Sequence, residues 1–212
     1  MTHRAHAVAR PIAPWAEIVP GVGAVAVDIL STLPDDGYIY EVVDGVLVRM
    51  AGSGDEATTI AHYFGVALTT FVQPRRLGIV TGADGVYKFP GAATGLIPDI
   101  GYYMAARRVL VTDRSRPIPF APDLAVEVAS PSQDADDMAA KACAYLGGGT
   151  RLVWVVWPQS KHIDVWRRGT VARPVQALTV GDDLSGEDVV PGFTYPVAAV
   201  FADPLGDPGD GA

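Results

Sequence analysis

PDLAVEVASPSQDADDMAAKACAYLGGGTRLVWVVWP, residues 122–158, reads as a strand, a helix and a second strand in direct succession. Side chains alternate across a strand, so Leu124, Val126 and Val128 point one way while Asp123, Ala125, Glu127 and Ala129 point the other. The first face is core. The second carries two carboxylates among small alanines, which leaves open space beside the acids. Ser130 is placed to cap the following helix, with Pro131 at its first position, Gln133 closing a capping box, and Asp134, Asp136 and Asp137 complementing the helix dipole. Three glycines, 147–149, stop it. RLVWVVW is apolar on both faces, as a central strand covered on both sides must be, and it ends at Pro158.

Working outward, HIDVWRR (162–168) reads as a strand beside the central one. Upstream, YIYEVVDGVLVRM (38–50) is a hairpin whose turn is Asp44-Gly45, flanked by β-branched and aromatic residues. A helix is expected from about Asp55 to Val72, with Ile60, Phe64, Ala67, Leu68 and Phe71 at helical spacing and Pro74 ending it. LGIVTGADGVYKFP (77–90) reads as a second hairpin through Ala83-Asp84-Gly85, and IPDIGYY (97–103) as a strand. Val25 to Leu33 forms a short helix stopped by Pro34. The fold class is α/β of the α+β kind, a mixed β-sheet with hairpins flanked by helices. Residues 1–24 read as a proline-rich arm, 25–202 as one domain and 203–212 as a flexible acidic tail.

At 212 residues, 49% hydrophobic and 19% charged, the chain can bury a core without a disulfide or structural metal. Collagenous, coiled-coil and disordered classes are excluded. A lone cysteine, Cys143, forms no intrachain disulfide and reads as a small buried hydrophobe, in keeping with a cytoplasmic location. No apolar run reaches membrane-spanning length. Sixteen basic against twenty-four acidic residues give a net charge of −8, which argues against non-specific attraction to nucleic acid over the whole surface. A local basic groove is still compatible, since Arg107, Arg108, Arg114 and Arg116 lie close together.

Glu127, in mid-strand with apolar neighbours, is an expensive place for an unpaired charge. One solution is an arginine partner or a backbone donor. The other is a cation shared with Asp99, which interrupts the apolar IPDIGYY strand, because acids on neighbouring strands gather oxygen ligands for Mg²⁺. Asp134, Asp137, Lys141 and Tyr145 follow at steps of three, four and four, one polar stripe. That stripe is either a solvated face with an Asp137–Lys141 pair, or it sends Lys141 back over the acids to act on a metal-bound water. His62 reads as an ordinary helix residue, and His3, His6 and His162 are scattered, so zinc is not expected. No phosphate-cradling glycine loop, dinucleotide fingerprint or nucleophile elbow is present.

The succession DDGYIYEVVDGVLV, IPDIGYY, APDLAVEVASPSQ, DDMAAKACAYLGGG and RLVWVVWP resembles the Uma-type family of restriction-endonuclease-like proteins, within the PD-(D/E)XK nuclease superfamily. The likeness runs from about Leu33 to Phe201. It implies a restriction-endonuclease-like core, with Asp99 as the PD aspartate and Glu127 as the second acid. Val128 and Ala129 then stand where the superfamily has a variable residue and a lysine, and Lys141 on the next helix takes the missing lysine's place. Glu41 matches an acid at the edge of the site that binds metal or water, and Asp123 a recurring aspartate of structural role. Many relatives carry a histidine at the start of the first long helix, where this chain reads GSGDEATTIAHYF; neither Glu56 nor His62 falls in that register.

The resemblance implies a metal-dependent endonuclease acting on DNA, with Asp99, Glu127 and the Val128 carbonyl holding Mg²⁺ or Mn²⁺, Lys141 positioning water and Glu41 assisting. It also implies 5′-phosphate products, and a homodimer in which two sites cut two strands. Two other readings stay open: a non-catalytic binding or regulatory module on the same fold, and a hydrolase of a small phosphorylated substrate.

Overall fold

The computed structural model describes residues 12–169, 173–203 and 205–206. Its strands are β1 (Glu17–Ile18), β2 (Tyr38–Val43), β3 (Val46–Ala51), β4 (Gly78–Thr81), β5 (Tyr87–Lys88), β6 (Gly95–Leu96), β7 (Ile100–Met104), β8 (Leu124–Val128), β9 (Leu152–Trp157), β10 (His162–Arg167), β11 (Gln176–Thr179), β12 (Asp183–Ser185) and β13 (Thr194–Pro196). The helices are α1 (Asp55–Val72), α2 (Ala135–Gly147) and the short α3 (Val197–Val200), with a 3-10 turn at Val27–Ser31 where the short helix before Pro34 is expected.

A six-stranded sheet runs β11-β10-β9-β8-β7-β4, and β8 and β9 at its centre are parallel, joined by α2. A five-stranded sheet runs β1-β3-β2-β6-β5. The alternation read from the sequence decides which layer each face of β8 meets. Leu124, Val126 and Val128 pack with Ile60, Phe64, Leu68 and Val72 of α1, where Phe64 and Trp154 stack at 5.6 Å. Ala125 and Ala129 face Met138, Ala142 and Tyr145 of α2, together with Val43 and Val48 of the smaller sheet. The space expected beside the alanines is therefore filled by the helix, whose close approach they permit.

Three expectations are corrected. First, α2 begins four residues later than the Ser130 cap implies: Asp134 is the N-cap and closes a capping box with Asp137, while Ser130 and Gln133 form their own turn. Second, residues 77–90 are not a hairpin. β4 pairs with β7 and β5 with β6, in different sheets, because each half finds its burial separately: Val80 packs on the α1 cluster and Tyr87 in the α2 cluster. The crossing is tight at Gly101, where a Cβ would lie 2.5 Å from the Tyr87 hydroxyl. Third, the expected arm carries Ala13 and Trp15 into the α2 cluster, and β1 pairs with β3. The β2–β3 hairpin forms as read, with Asp44 and Gly45 both at positive φ as a two-residue primed turn requires.

Most of the acidic tail lies outside the described residues, as do His3 and His6. Cys143 is half-buried, not buried. Among the described residues, no helix is long and apolar enough to cross a membrane.

Candidate active site

Glu41 on β2, Asp99 just ahead of β7, Glu127 on β8 and Lys141 on α2 converge where the two sheets and α2 meet. Lys141 Nζ donates to Glu127 Oε2 at 2.8 Å and lies 3.6 Å from Glu41 Oε1. The Tyr145 hydroxyl donates to Glu127 Oε1 at 2.7 Å. The solvated-stripe reading of α2 therefore fails. Asp134 and Asp137 are spent on the capping box, while Lys141 and Tyr145 point inward and are buried.

Glu41 has no solvent exposure. Trp15 Nε1 donates to its Oε2 at 3.0 Å and the Ile97 N–H to its Oε1 at 2.9 Å. Asp99 Oδ2 accepts the Val128 N–H at 2.7 Å, and the other carboxylate oxygen of Asp99 has no protein partner among the described residues. The β7–β8 register, Ile100 opposite Val126, brings Pro98 opposite Val128 two residues further on. Proline has no N–H to offer the Val128 carbonyl, and the Asp99 side chain takes over the ladder position on the donor side.

Burial sets the electrostatics. It pushes the Glu127 carboxyl up to about 8, with repulsion from Asp99 and Glu41 adding and Lys141 opposing. Burial likewise raises Asp99, with Lys141 and the Val128 N–H pulling the other way. For Lys141 burial alone would lower the pKa, but Glu127, Glu41 and Asp99 outweigh it and hold the ammonium above its ordinary value. Tyr145 is held well above its usual range by burial and by Glu127, so it remains a donor. The buried Glu41 and Glu127 and the half-buried Asp99 against one ammonium leave two negative charges in excess when all are ionised; a proton on Glu127 offsets one of them and a divalent cation both.

Asp99, Glu127, Val128 and Lys141 wall a cavity of about 50 Å³. One water needs on the order of 10–15 Å³, so the cavity suits an ion and a few waters, not a nucleotide. The donor set fits a hard cation: the Asp99 oxygen without a protein partner among the described residues, Glu127, whose oxygens each keep a lone pair beside the bonds from Lys141 and Tyr145, and Val128 on the wall with its backbone carbonyl. Mg²⁺ commonly keeps several waters beside one or two carboxylates. Among the described residues, no three His, Cys, Asp or Glu side chains converge to hold a metal by themselves.

Asp99 and Ala83 also line a second cavity, of about 340 Å³, walled by Thr58, His62, Thr69 and Thr81. It is the larger approach to the acids. Asp123 sits at the far end of β8, about 13 Å along the strand from Glu127, where it pairs with Arg107 at 2.9 Å and accepts the Met104 N–H. None of Arg107, Arg108, Arg114 and Arg116, which left a local basic groove compatible, lines the cavities at the acids. Arg107 is held by Asp123 and lies over the Phe120 ring, Arg108 donates to the Val111 carbonyl, and Arg116 pairs with Asp113. Glu56 is exposed at the start of α1, and His162 stacks on Trp157.

Trp15 and Tyr145 are the site residues that the sequence leaves without a role. A lone tryptophan in a proline-rich lead-in carries no periodic signal, whereas Tyr145 stands one helical turn beyond Lys141 and was legible in position though not in function.

No curated protein matches this chain. Among solved structures, a putative nuclease belonging to DUF820 from Anabaena variabilis ATCC 29413 superimposes with a TM-score of 0.68 at 16% identity, over 84% of this chain and 97% of that one. That likeness concerns the fold, and it bears out the nuclease-like α+β core. Residues 27–198, most of the chain, match the family Uma2, described as "Putative restriction endonuclease". Taken with the convergence of Glu41, Asp99, Glu127 and Lys141 that the family resemblance implies, this match shows that the chain belongs to the Uma2 family.

Proposed function

We propose that the protein is a metal-dependent endonuclease that hydrolyses phosphodiester bonds in DNA. The observation that carries the reading is the gathering of Glu41, Asp99 and Glu127 about the single Lys141 ammonium, beside a cavity of ion size. Asp99, Glu127 and the Val128 carbonyl would hold Mg²⁺ or Mn²⁺. Such an ion supplies Lewis acidity and an acidified water. Lys141 stays an ammonium at neutral pH, so it donates hydrogen bonds and is not the base: it orients the attacking water and offsets charge on the phosphoryl oxygens. Tyr145 and the Lys141 ammonium fix the Glu127 carboxylate in one rotamer. The scissile phosphate would reach Asp99 from the 340 Å³ cavity; in-line attack by water would form the new P–O bond and break the bond to the 3′ oxygen, the water's proton passing to solvent and the 3′ oxygen taking one from it, to leave a 5′-phosphate and a 3′-hydroxyl. Action as a homodimer in the cytoplasm, one site per strand, belongs to the same proposal.

One observation favours a non-catalytic module instead: both Glu127 oxygens already have protein donors. The cavities around the acids also contain no lysine or arginine but Lys141. The deciding experiment incubates supercoiled plasmid, single-stranded DNA, RNA and bis(p-nitrophenyl) phosphate with Mg²⁺ or Mn²⁺, with Asp99→Ala and Lys141→Ala in parallel. Cleavage of DNA by the wild type and by neither variant is expected. Turnover of the small diester alone would favour the small-substrate hydrolase, and inactivity on every substrate without metal binding would favour the module.

A further inference from the structure

We infer that each chain holds one divalent ion, and that Glu41, instead of binding a second, is the fixed anchor of Lys141. The inference rests on the metal-dependent reading above and deepens it. A second metal would need a further carboxylate on the wall of the cavity, where Asp99 and Glu127 are and Glu41 is not. Glu41 Oε2 accepts from the Trp15 indole and its Oε1 from the Ile97 N–H. The side chain is wholly buried, and among the described residues it is not part of the wall around the 50 Å³ cavity.

What lies between Glu41 and Glu127 is the Lys141 ammonium, 3.6 Å from one and 2.8 Å from the other. It occupies the place where a cation bridging those two acids would have to sit. Charge balance leads to the same count. With Glu41, Asp99 and Glu127 ionised, one divalent ion cancels the excess of two negative charges over Lys141, whereas two ions would leave an excess of two positive charges. Trp15 and the Ile97 N–H hold Glu41 from behind, so the ammonium is pulled from two sides and kept at the edge of the cavity. Glu41 and Trp15 are thus positioning residues acting through Lys141.

The experiment is a Mn²⁺ titration of the full chain, followed by the electron paramagnetic resonance of free Mn²⁺, on the wild type, Glu41→Gln and Asp99→Asn. The expected result is one ion per wild-type chain, still one ion in Glu41→Gln, weakened only through the lost charge, and at least tenfold weaker binding than in Glu41→Gln for Asp99→Asn, which loses a ligand. Two ions in the wild type, one of them lost in Glu41→Gln, would overturn the inference while leaving the metal-dependent reading intact. No bound ion in the wild type would overturn both. Anchoring is read separately, from the ¹⁵N signal of the Lys141 ammonium without metal, identified by its loss in Lys141→Arg. It should shift or broaden in Glu41→Gln and likewise in Trp15→Phe, which keeps the Glu41 charge should Glu41→Gln fold poorly. An unchanged signal in a folded variant would overturn the anchor role.

Discussion

Replacing Lys141 by methionine removes the one cation beside the buried Glu41 and Glu127 and the half-buried Asp99, and keeps most of the length of the side chain. Glu127 is 4% exposed and Glu41 not at all, so neither can recover its hydration without opening the structure. Removing one partner of a buried pair costs about 3–5 kcal/mol. For a chain of this size that lowers the melting temperature on the order of 10 °C. The loss should depend on pH. With its carboxyl at about 8 in the folded protein, above its unfolded value, Glu127 favours folding most at low pH, and that contribution fades as pH rises through 8. Without the ammonium its pKa rises further, so the deficit of Lys141→Met should be smaller at pH 5 than at pH 8. The double variant Glu127→Gln/Lys141→Met removes one carboxylate as well, and should regain at least about 2 kcal/mol of the single variant's loss. Urea unfolding followed by circular dichroism at both pH values measures all three proteins. A Lys141→Met variant as stable as the wild type at pH 8, or a double variant no better than the single, would refute this account of the centre.

Mn²⁺ must displace the proton that Glu127 retains up to about 8. Stabilisation by the ion should therefore strengthen from pH 6 to 8, by roughly tenfold in affinity per unit, and level off above; a flat profile in scanning calorimetry would contradict it. Arg107→Ala loses bonds to Asp123 and the Ala121 carbonyl and should cost about 1.5–3 kcal/mol with Mn²⁺ affinity unchanged, since Asp123 is remote from the acids; weakened Mn²⁺ binding would place Asp123 in the site. In Gly148→Ala the new methyl group overlaps the Phe89 ring, which should cost about 1–3 kcal/mol, and an unchanged melting temperature would show that the ring moves freely.

Much of this architecture is legible in local pattern. The β8 alternation separates the two core clusters correctly, the Asp44-Gly45 turn forms, α1 spans Asp55–Val72, and β9 is central between β8 and β10. What escapes the sequence is non-local. Nothing within residues 77–90 says that Val80 and Tyr87 will be buried in different clusters, so two strands and a turn resemble a hairpin. The α2 stripe looks solvated because helical periodicity gives the face but not what covers it, and here Glu127 does. Likewise Arg107, Arg108 and Arg116 lie close together in sequence, while their partners Asp123, the Val111 carbonyl and Asp113 are found only in three dimensions. Asp99, Glu127 and Lys141 draw notice from their own strands and helix and Glu41 through the family resemblance, and the structure brings the four side chains together. Trp15 draws none, since its role exists only through Glu41.

The ammonium of Lys141 joins a carboxylate of one sheet to a carboxylate of the other, so the proposed catalytic centre is also a rivet between the two halves of the fold. Loosening the small sheet would pull Glu41 away and leave the large sheet with an unbalanced charge, and activity should therefore vanish before the chain unfolds globally. The same linkage constrains change. Loss of Lys141 alone strands its two carboxylates in the interior, so a descendant that gave up catalysis would shed the lysine only together with an acid, in exchange for an apolar joint of the same volume.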